Sequence, residues 1–192
     1  MFKFDVAILG AGAAGMMCAI EAARRGRRVV LIDHAKAIGQ KIRISGGGRC
    51  NFTNMYIEPK CFLSNNPKFA LSALSRFTQW DFIDRVVAHG IPYHEKTLGQ
   101  LFCDNSAKDI IAMLAQDMQD AGVTVWLNST ITDVRHTTGF QLSTSRGLCN
   151  AILLWWPLAA NPFPKWGRPD SGCNWRSSLA CRSRKPVRHW YL

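Results

Sequence analysis

Apolar residues change their spacing along this chain in a readable order. Val6 to Leu9 form an unbroken apolar run too short for a helix, and it passes directly into Gly10-Ala11-Gly12-Ala13-Ala14-Gly15. Met16, Ala19, Ile20 and Ala23 then recur at i, i+3, i+4 and i+7, the spacing of one buried helical face, and the pattern stops at Gly26. Val29 to Ile32 form a second apolar run that ends in Asp33. The pattern predicts strand, glycine turn, helix, strand.

Further on, Phe69, Leu71, Leu74, Phe77, Trp80, Phe82, Ile83 and Val86 predict two short helices with these residues turned into the core. His89 and His94 flank a turn at Gly90 and Pro92 and read as surface or capping groups. Ser106 reads as the N-cap of a helix running through Gln119. Strand-like runs follow at 123–129, 131–137 and 139–145, with turn residues at Asn128 and Thr138-Gly139.

Each piece of the first 33 residues has a duty in a dinucleotide site. Gly10 permits a tight turn, Gly12 lets a pyrophosphate approach the backbone, and Gly15 lets the helix pack closely on the strand. The free N–H groups and positive dipole end of the helix face phosphate charge. Asp33 is spaced to accept hydrogen bonds from a ribose, and an acid there disfavours a 2′-phosphate on that ribose.

A second glycine patch changes the picture. Lys36, Lys41 and Arg43 lead into Ser45-Gly46-Gly47-Gly48-Arg49-Cys50-Asn51-Phe52-Thr53-Asn54. Ordering three consecutive glycines costs more backbone entropy than ordering any other residues, so a positive φ or a close backbone approach is expected. A bulky ligand lying flat on bare backbone explains the patch better than a surface loop does. A plain NAD-dependent dehydrogenase would share the first 33 residues without needing it.

Composition narrows the class. The 192 residues are 47% hydrophobic, enough to bury a core. No apolar run approaches the roughly 18 residues needed to span a bilayer, and no leader-like segment opens the chain, so a cytoplasmic protein without a membrane partner is expected. Seven cysteines never form CxxC, which argues for free thiols and against a metal site. The cluster Arg24, Arg25, Arg27, Arg28 suits a solvated helix end.

The net charge of +11 is unevenly spread: residues 151 to 192 carry seven Lys/Arg against the single acid Asp170. The same segment holds five of the seven tryptophans and shows neither helical nor strand periodicity.

GAGAAG at 10 to 15, KIRISGGGRCNFTN at 41 to 54 and HEKTLGQLFCDNSAKDIIAML at 94 to 114 resemble the BaiN/YhiN-type family of FAD-dependent, NAD(P)-linked oxidoreductases. The resemblance covers residues 1 to about 150. It implies an α/β fold: a Rossmann-type FAD/NAD(P)-binding three-layer domain with a helical insertion, a third parallel strand and a small β-meander. It also implies FAD held at Gly10, Gly12, Ala13, Ala14, Gly15 and Asp33, with Lys41, Ser45, Gly46, Gly47, Gly48, Arg49, Cys50 and Asn51 toward the flavin end. Arg49 would stabilise negative charge on reduced flavin, and Asn51 would bond the ring or ribityl chain. Cys50 reads as a small residue packed under the loop, since no nearby second cysteine could resolve a disulfide. NAD(P)H is the implied electron donor and a small molecule the implied acceptor, with no nucleic acid partner. The sequence identifies no catalytic acid or base.

After the meander, the resemblance predicts a returning parallel strand with an Ala-Thr-Gly-Gly-like turn, where this chain has AILLWWPLAANPFPKWGRP. Tryptophan is encoded only by TGG, so Trp155-Trp156-Pro157 read one base earlier forces Val-Ala, and Trp166-Gly167 forces Met or Val followed by Gly. The expectation is a truncated FAD-binding domain at 1–150 followed by an out-of-frame, non-native tail at 151–192, with the returning strand missing and activity lost or weakened. The rival reading for the tail is a basic, aromatic element of a nonenzymatic binding module.

Overall fold

The computed structural model describes residues 1–63, 65–66, 68–136 and 138–155. Strand β1 (Phe2–Leu9) enters helix α1 (Ala13–Arg24) through the first glycine turn, and β2 (Val29–Ile32) follows. Next come α2 (Gln40–Ile44), a 3₁₀ turn (Ser45–Gly48), β3 (Asn51–Asn54) and a second 3₁₀ turn (Pro59–Cys61). The helical insertion is α3 (Leu71–Arg76) and α4 (Gln79–Ala88), followed by β4 (Tyr93–Glu95) and β5 (Gln100–Cys103). Helix α5 (Ala107–Asp120) and strands β6 (Thr124–Trp126), β7 (Ile131–His136), β8 (Phe140–Thr144) and β9 (Gly147–Trp155) complete the described chain.

The main sheet has the order β6-β2-β1-β9-β8-β7, and a smaller antiparallel sheet has the order β3-β5-β4. β1 is central and parallel to both β2 and β9, while β6 is parallel to β2. The expected third parallel strand and antiparallel meander are present, the meander as β7-β8-β9 within the main sheet.

Period-2 alternation along β1 sorts its side chains between two cores. Val6 and Ile8 join Met16, Ala19 and Ile20 of α1, Leu114 of α5 and Val86 of α4. Ala7 and Leu9 join Val30, Trp126, Leu142 and Cys149 in a second cluster. Strands alone contribute to that second cluster among the described residues. Trp126 closes its end with edge-on contacts to Phe2 and Phe4, ring centroids 4.9 and 5.7 Å apart.

Both longer C-terminal helices start as their sequences dictate. Thr78 with Asp81 opens α4 and Ser106 with Asp109 opens α5, each as a reciprocal capping box that satisfies N–H groups the helix cannot.

Two expectations are corrected. In the insertion only Ile83 and Val86 are buried, whereas Phe69 is 84% and Trp80 52% exposed. Leu71, Leu74 and Phe77 instead line an open groove, and Phe82, partly buried, packs against the first core. The returning strand is also present: β9 continues beyond residue 150 and pairs Val6 with Leu153, Ala7 with Leu154 and Ile8 with Trp155. Ala151 to Trp155 remain an apolar, strand-compatible run, so β1 gains a second parallel neighbour. The boundary expected at 150 therefore falls inside a strand, and the rest of the anticipated non-native tail, 156–192, lies outside the described residues.

Candidate functional site

The first turn is built around missing side chains. Gly10 has φ 108° and its N–H donates to the Ile32 carbonyl at 2.8 Å, fastening the turn to the end of β2. A Cβ on Gly15 would collide with the Gly10 carbonyl oxygen, so α1 can approach β1 only with glycine there. Gly12 is different. It is the N-cap of α1 with φ −83°, and a Cβ there would meet nothing within 4 Å.

Gly12, Ala13 and Ala14 are exposed, no side chain caps the helix and its first turn holds no acid. The positive end of α1 therefore faces open space, the arrangement that receives an anion.

Asp33 sits immediately after β2 with its side chain 15% exposed. Its carboxylate accepts from the Ala11 N–H at 2.6 Å and from the Ala35 N–H at 2.8 Å, and lies 3.3 Å from His34 Nδ1. The acid is thus fixed against the glycine turn.

The second patch is mechanically joined to the first. Gly39, with φ 65°, donates its N–H to the Ala11 carbonyl at 2.8 Å, and the short α2 then leads directly into the Ser45–Gly48 turn. Gly39 escaped the sequence reading; its signal was a glycine between an apolar residue and a helical run. A Cβ there would lie 2.8 Å from Ile111, so α5 buttresses the junction.

Gly46, Gly47 and Gly48 have φ of 56°, 66° and 87°. Gly46 needs space, because a Cβ would meet the Asn51 nitrogen at 2.6 Å and the Phe102 ring at 2.8 Å. Gly47 and Gly48 have nothing within 4 Å of a Cβ position, so their left-handed backbone borders open space. Ser45 Oγ donates to the Ile42 carbonyl at 2.7 Å.

Cys50 also has positive φ, 53°, and its N–H donates to the Ser45 carbonyl at 3.1 Å, closing the loop. Its thiol is buried, and burial pushes its pKa up against a lowering hydrogen bond with Ser45. Cys103 behind it is pushed up to about 12, chiefly by burial and then by Cys50. Both are free thiols held in the protonated form at neutral pH, which suits the packing role. The backing by Phe102 and Cys103 was missed, since it arises from antiparallel pairing of β3 with β5.

Oriented to satisfy its neighbours, the Asn51 amide donates to the carbonyls of Thr53 and Leu101 at 3.1 and 3.2 Å, bracing the loop. Lys41 and Arg49 are exposed, and among the described residues no carboxylate pairs with either. No group of three His, Cys, Asp or Glu side chains converges on a metal-sized site among the described residues.

His89 and His94 do have partners. His89 Nε2 lies 3.1 Å from Asp117 of α5, and His94 Nδ1 lies 2.6 Å from Asp104. Neither approaches the glycine patches through any hydrogen bond or ion pair among the described residues.

Fold and glycine turn together define a Rossmann-type FAD/NAD(P)-binding oxidoreductase domain. The sequence profile described as the HI0933-like protein Rossmann domain matches residues 4–182, and the chain belongs to that family. It is 58% identical over 143 residues to the ribosomal RNA dihydrouridine synthase of Escherichia coli (strain K12), covering 74% of this chain and 36% of that protein. It is 50% identical over 127 residues to the protein of the same name from Haemophilus influenzae, covering 66% and 32%. A 3-dehydro-bile acid delta(4,6)-reductase of Clostridium scindens is 33% identical over 88 residues, covering 45% and 22%.

The chain thus spans about a third of the length of the first two relatives. Among solved structures, L-proline dehydrogenase from P. horikoshii shares the fold with TM-score 0.58 at 10% identity, covering 93% of this chain and 57% of that one. Glycine oxidase from Geobacillus kaustophilus does so with TM-score 0.51 at 18% identity, covering 82% and 55%. No helix among the described residues is long and apolar enough to cross a membrane.

Proposed function

We propose that this chain supplies the FAD-binding part of a flavin-dependent reductase that takes a hydride from NADH or NADPH and delivers it to a uridine of ribosomal RNA. The observation that carries the reading is the 58% identity with a ribosomal RNA dihydrouridine synthase. A dihydrouridine is a uridine whose C5–C6 double bond has gained a hydride and a proton. The name of the bile acid reductase likewise describes saturation of carbon–carbon double bonds, so the chemistry common to both is reduction of a conjugated alkene. This replaces the small-molecule acceptor expected from the sequence with a nucleic acid.

The residues present fit the cofactor. Open space over Gly12, Gly47 and Gly48 is a cradle that side chains would fill. FAD would supply the two-electron carrier that this chain's own side chains do not provide. Gly10, Gly12 and Gly15, with the N–H groups of Ala13 and Ala14, would hold the pyrophosphate at the positive end of α1. Asp33 would accept from the adenosine ribose.

Gly46, Gly47 and Gly48 would hold the ribityl and ring end, flanked by Lys41, Ser45 and Asn51, with Cys50 packed beneath the loop. Arg49, free of a carboxylate partner among the described residues, would stabilise the negative charge that the ring gains on reduction.

The test is anaerobic reduction of the FAD-loaded chain by NADH or NADPH, followed by addition of a uridine-containing ribosomal RNA fragment and mass analysis of its nucleosides. The reading predicts flavin bleaching and uridine that gains two hydrogens. Arg49→Ala should lower the flavin potential and slow bleaching more than it weakens FAD binding. Reduced flavin that leaves RNA unchanged but is reoxidised by a conjugated enone favours the small-molecule reading; an unchanged potential returns Arg49 to a structural role.

A further inference from the structure

Resting on that reading, we infer that the helical insertion forms a docking groove for a single-stranded segment of the RNA substrate. An open groove of about 860 Å³ runs between the β3 end of the glycine loop and the insertion, with Phe52, Phe62, Arg76, Phe77 and Phe82 in its walls. Phe52 follows Asn51 directly, so the groove begins where the proposed flavin loop ends. Gln79 ties its two sides together by donating to the Met55 carbonyl at 3.1 Å.

Two observations choose the occupant. The first is charge. Arg76 lines the groove, and the acid in its walls, Glu58, is paired with Lys60 at 2.6 Å; from His34 to Trp80 the chain carries seven Lys/Arg and that single acid. The next acid, Asp81, is engaged in the α4 capping box. A polyanion is therefore favoured along this stretch.

The second is the character of the exposed apolar residues. Phe62 and Phe77 are 37% and 39% exposed in the groove, and Trp80 of α4 and Phe69 just before α3 are exposed as well. Aromatic faces beside cations are what unpaired bases stack on, and a duplex would bury its bases from them. A target uridine must likewise leave its stack to reach a flavin.

The experiment titrates the full 192-residue chain with a uridine-rich single-stranded RNA on the order of ten nucleotides long, across a salt series. Binding to the RNA should exceed binding to a duplex of the same length. Phe77→Ala should weaken it roughly tenfold, and Arg76→Gln should flatten the log–log salt slope by about 0.7. Arg76→Lys, which keeps the charge, should retain the wild-type slope, and unfolding midpoints should stay unchanged because these side chains are surface-exposed. Affinity and slope unaltered by the groove variants would place RNA elsewhere, the basic residues of 156–192 included, and overturn the proposal. So would equal affinity for duplex, or self-association of the chain in place of RNA binding. RNA binding in the groove by a chain that takes up no FAD would instead leave the groove standing and remove the flavin reading.

Discussion

Gly15 on α1 sits directly under the carbonyl oxygen of Gly10, so close that even a methyl group would overlap it. The contact is with backbone and cannot be relieved by a rotamer change. Gly15→Ala should destabilise the chain by about 1–3 kcal/mol through overpacking. Urea denaturation measures this, and a midpoint equal to wild type would mean that α1 can lift from β1 without cost.

Asp117 is the hidden anchor of the three helices over the first core. Its carboxylate, 7% exposed, lies 3.1 Å from His89, 3.3 Å from Arg85 of α4 and 3.5 Å from Arg24 of α1. Oδ2 faces Arg85 without hydrogen-bond geometry, so that pairing is electrostatic. Asp117→Ala would leave Arg85, 12% exposed, with Glu21 at 3.7 Å as its remaining carboxylate among the described residues and the Met17 sulfur at 3.2 Å. A loss of about 3–5 kcal/mol is expected from the uncompensated charge, read from the same denaturation curves, with Asp117→Leu milder when Arg85→Met accompanies it.

The buried thiols set an alkaline limit. Burial pushes Cys103 from 9.0 to about 12 and Cys149 from 9.0 to about 11. Because the folded values are raised, their contribution is fully present below about 9, and it is lost as pH climbs through 11 and 12, where the unfolded chain releases protons first. Urea midpoints should fall over that window and fall less in Cys103→Ala than in wild type, after allowance for the cavity that variant leaves. Iodoacetamide should label the exposed Cys61 rapidly in the folded chain, and Cys50 and Cys103 only on unfolding.

Local pattern made the first 33 residues legible because each element there is dictated by its own spacing: an apolar run, a glycine turn, a 3.6-residue stripe, a second run and an acid. The same holds for α5, whose cap is written in Ser106 and Asp109. What escaped was non-local. Gly39 meets Ala11 across the turn, Phe102 and Cys103 reach the glycine loop only through sheet pairing, and Asp117 collects cations from two other helices. Phe69 and Trp80 read as core because helical spacing records a shared face without recording whether anything covers it. Leu153 to Trp155 read as lost sequence, yet pairing with β1 needs only backbone groups and an apolar face.

The central claim is that the open space over the glycine turns belongs to FAD, and Gly12 tests it most directly because its side chain would meet no protein atom. Equilibrium titration of the full chain with FAD, followed by flavin fluorescence, should show one FAD bound per chain. Gly12→Val should abolish that binding while costing only about 1 kcal/mol of stability, the effect of a β-branched N-cap, since φ at this position is −83° and admits any residue. Full FAD affinity in Gly12→Val, or a wild-type chain that binds NAD and ignores FAD, would contradict the assignment.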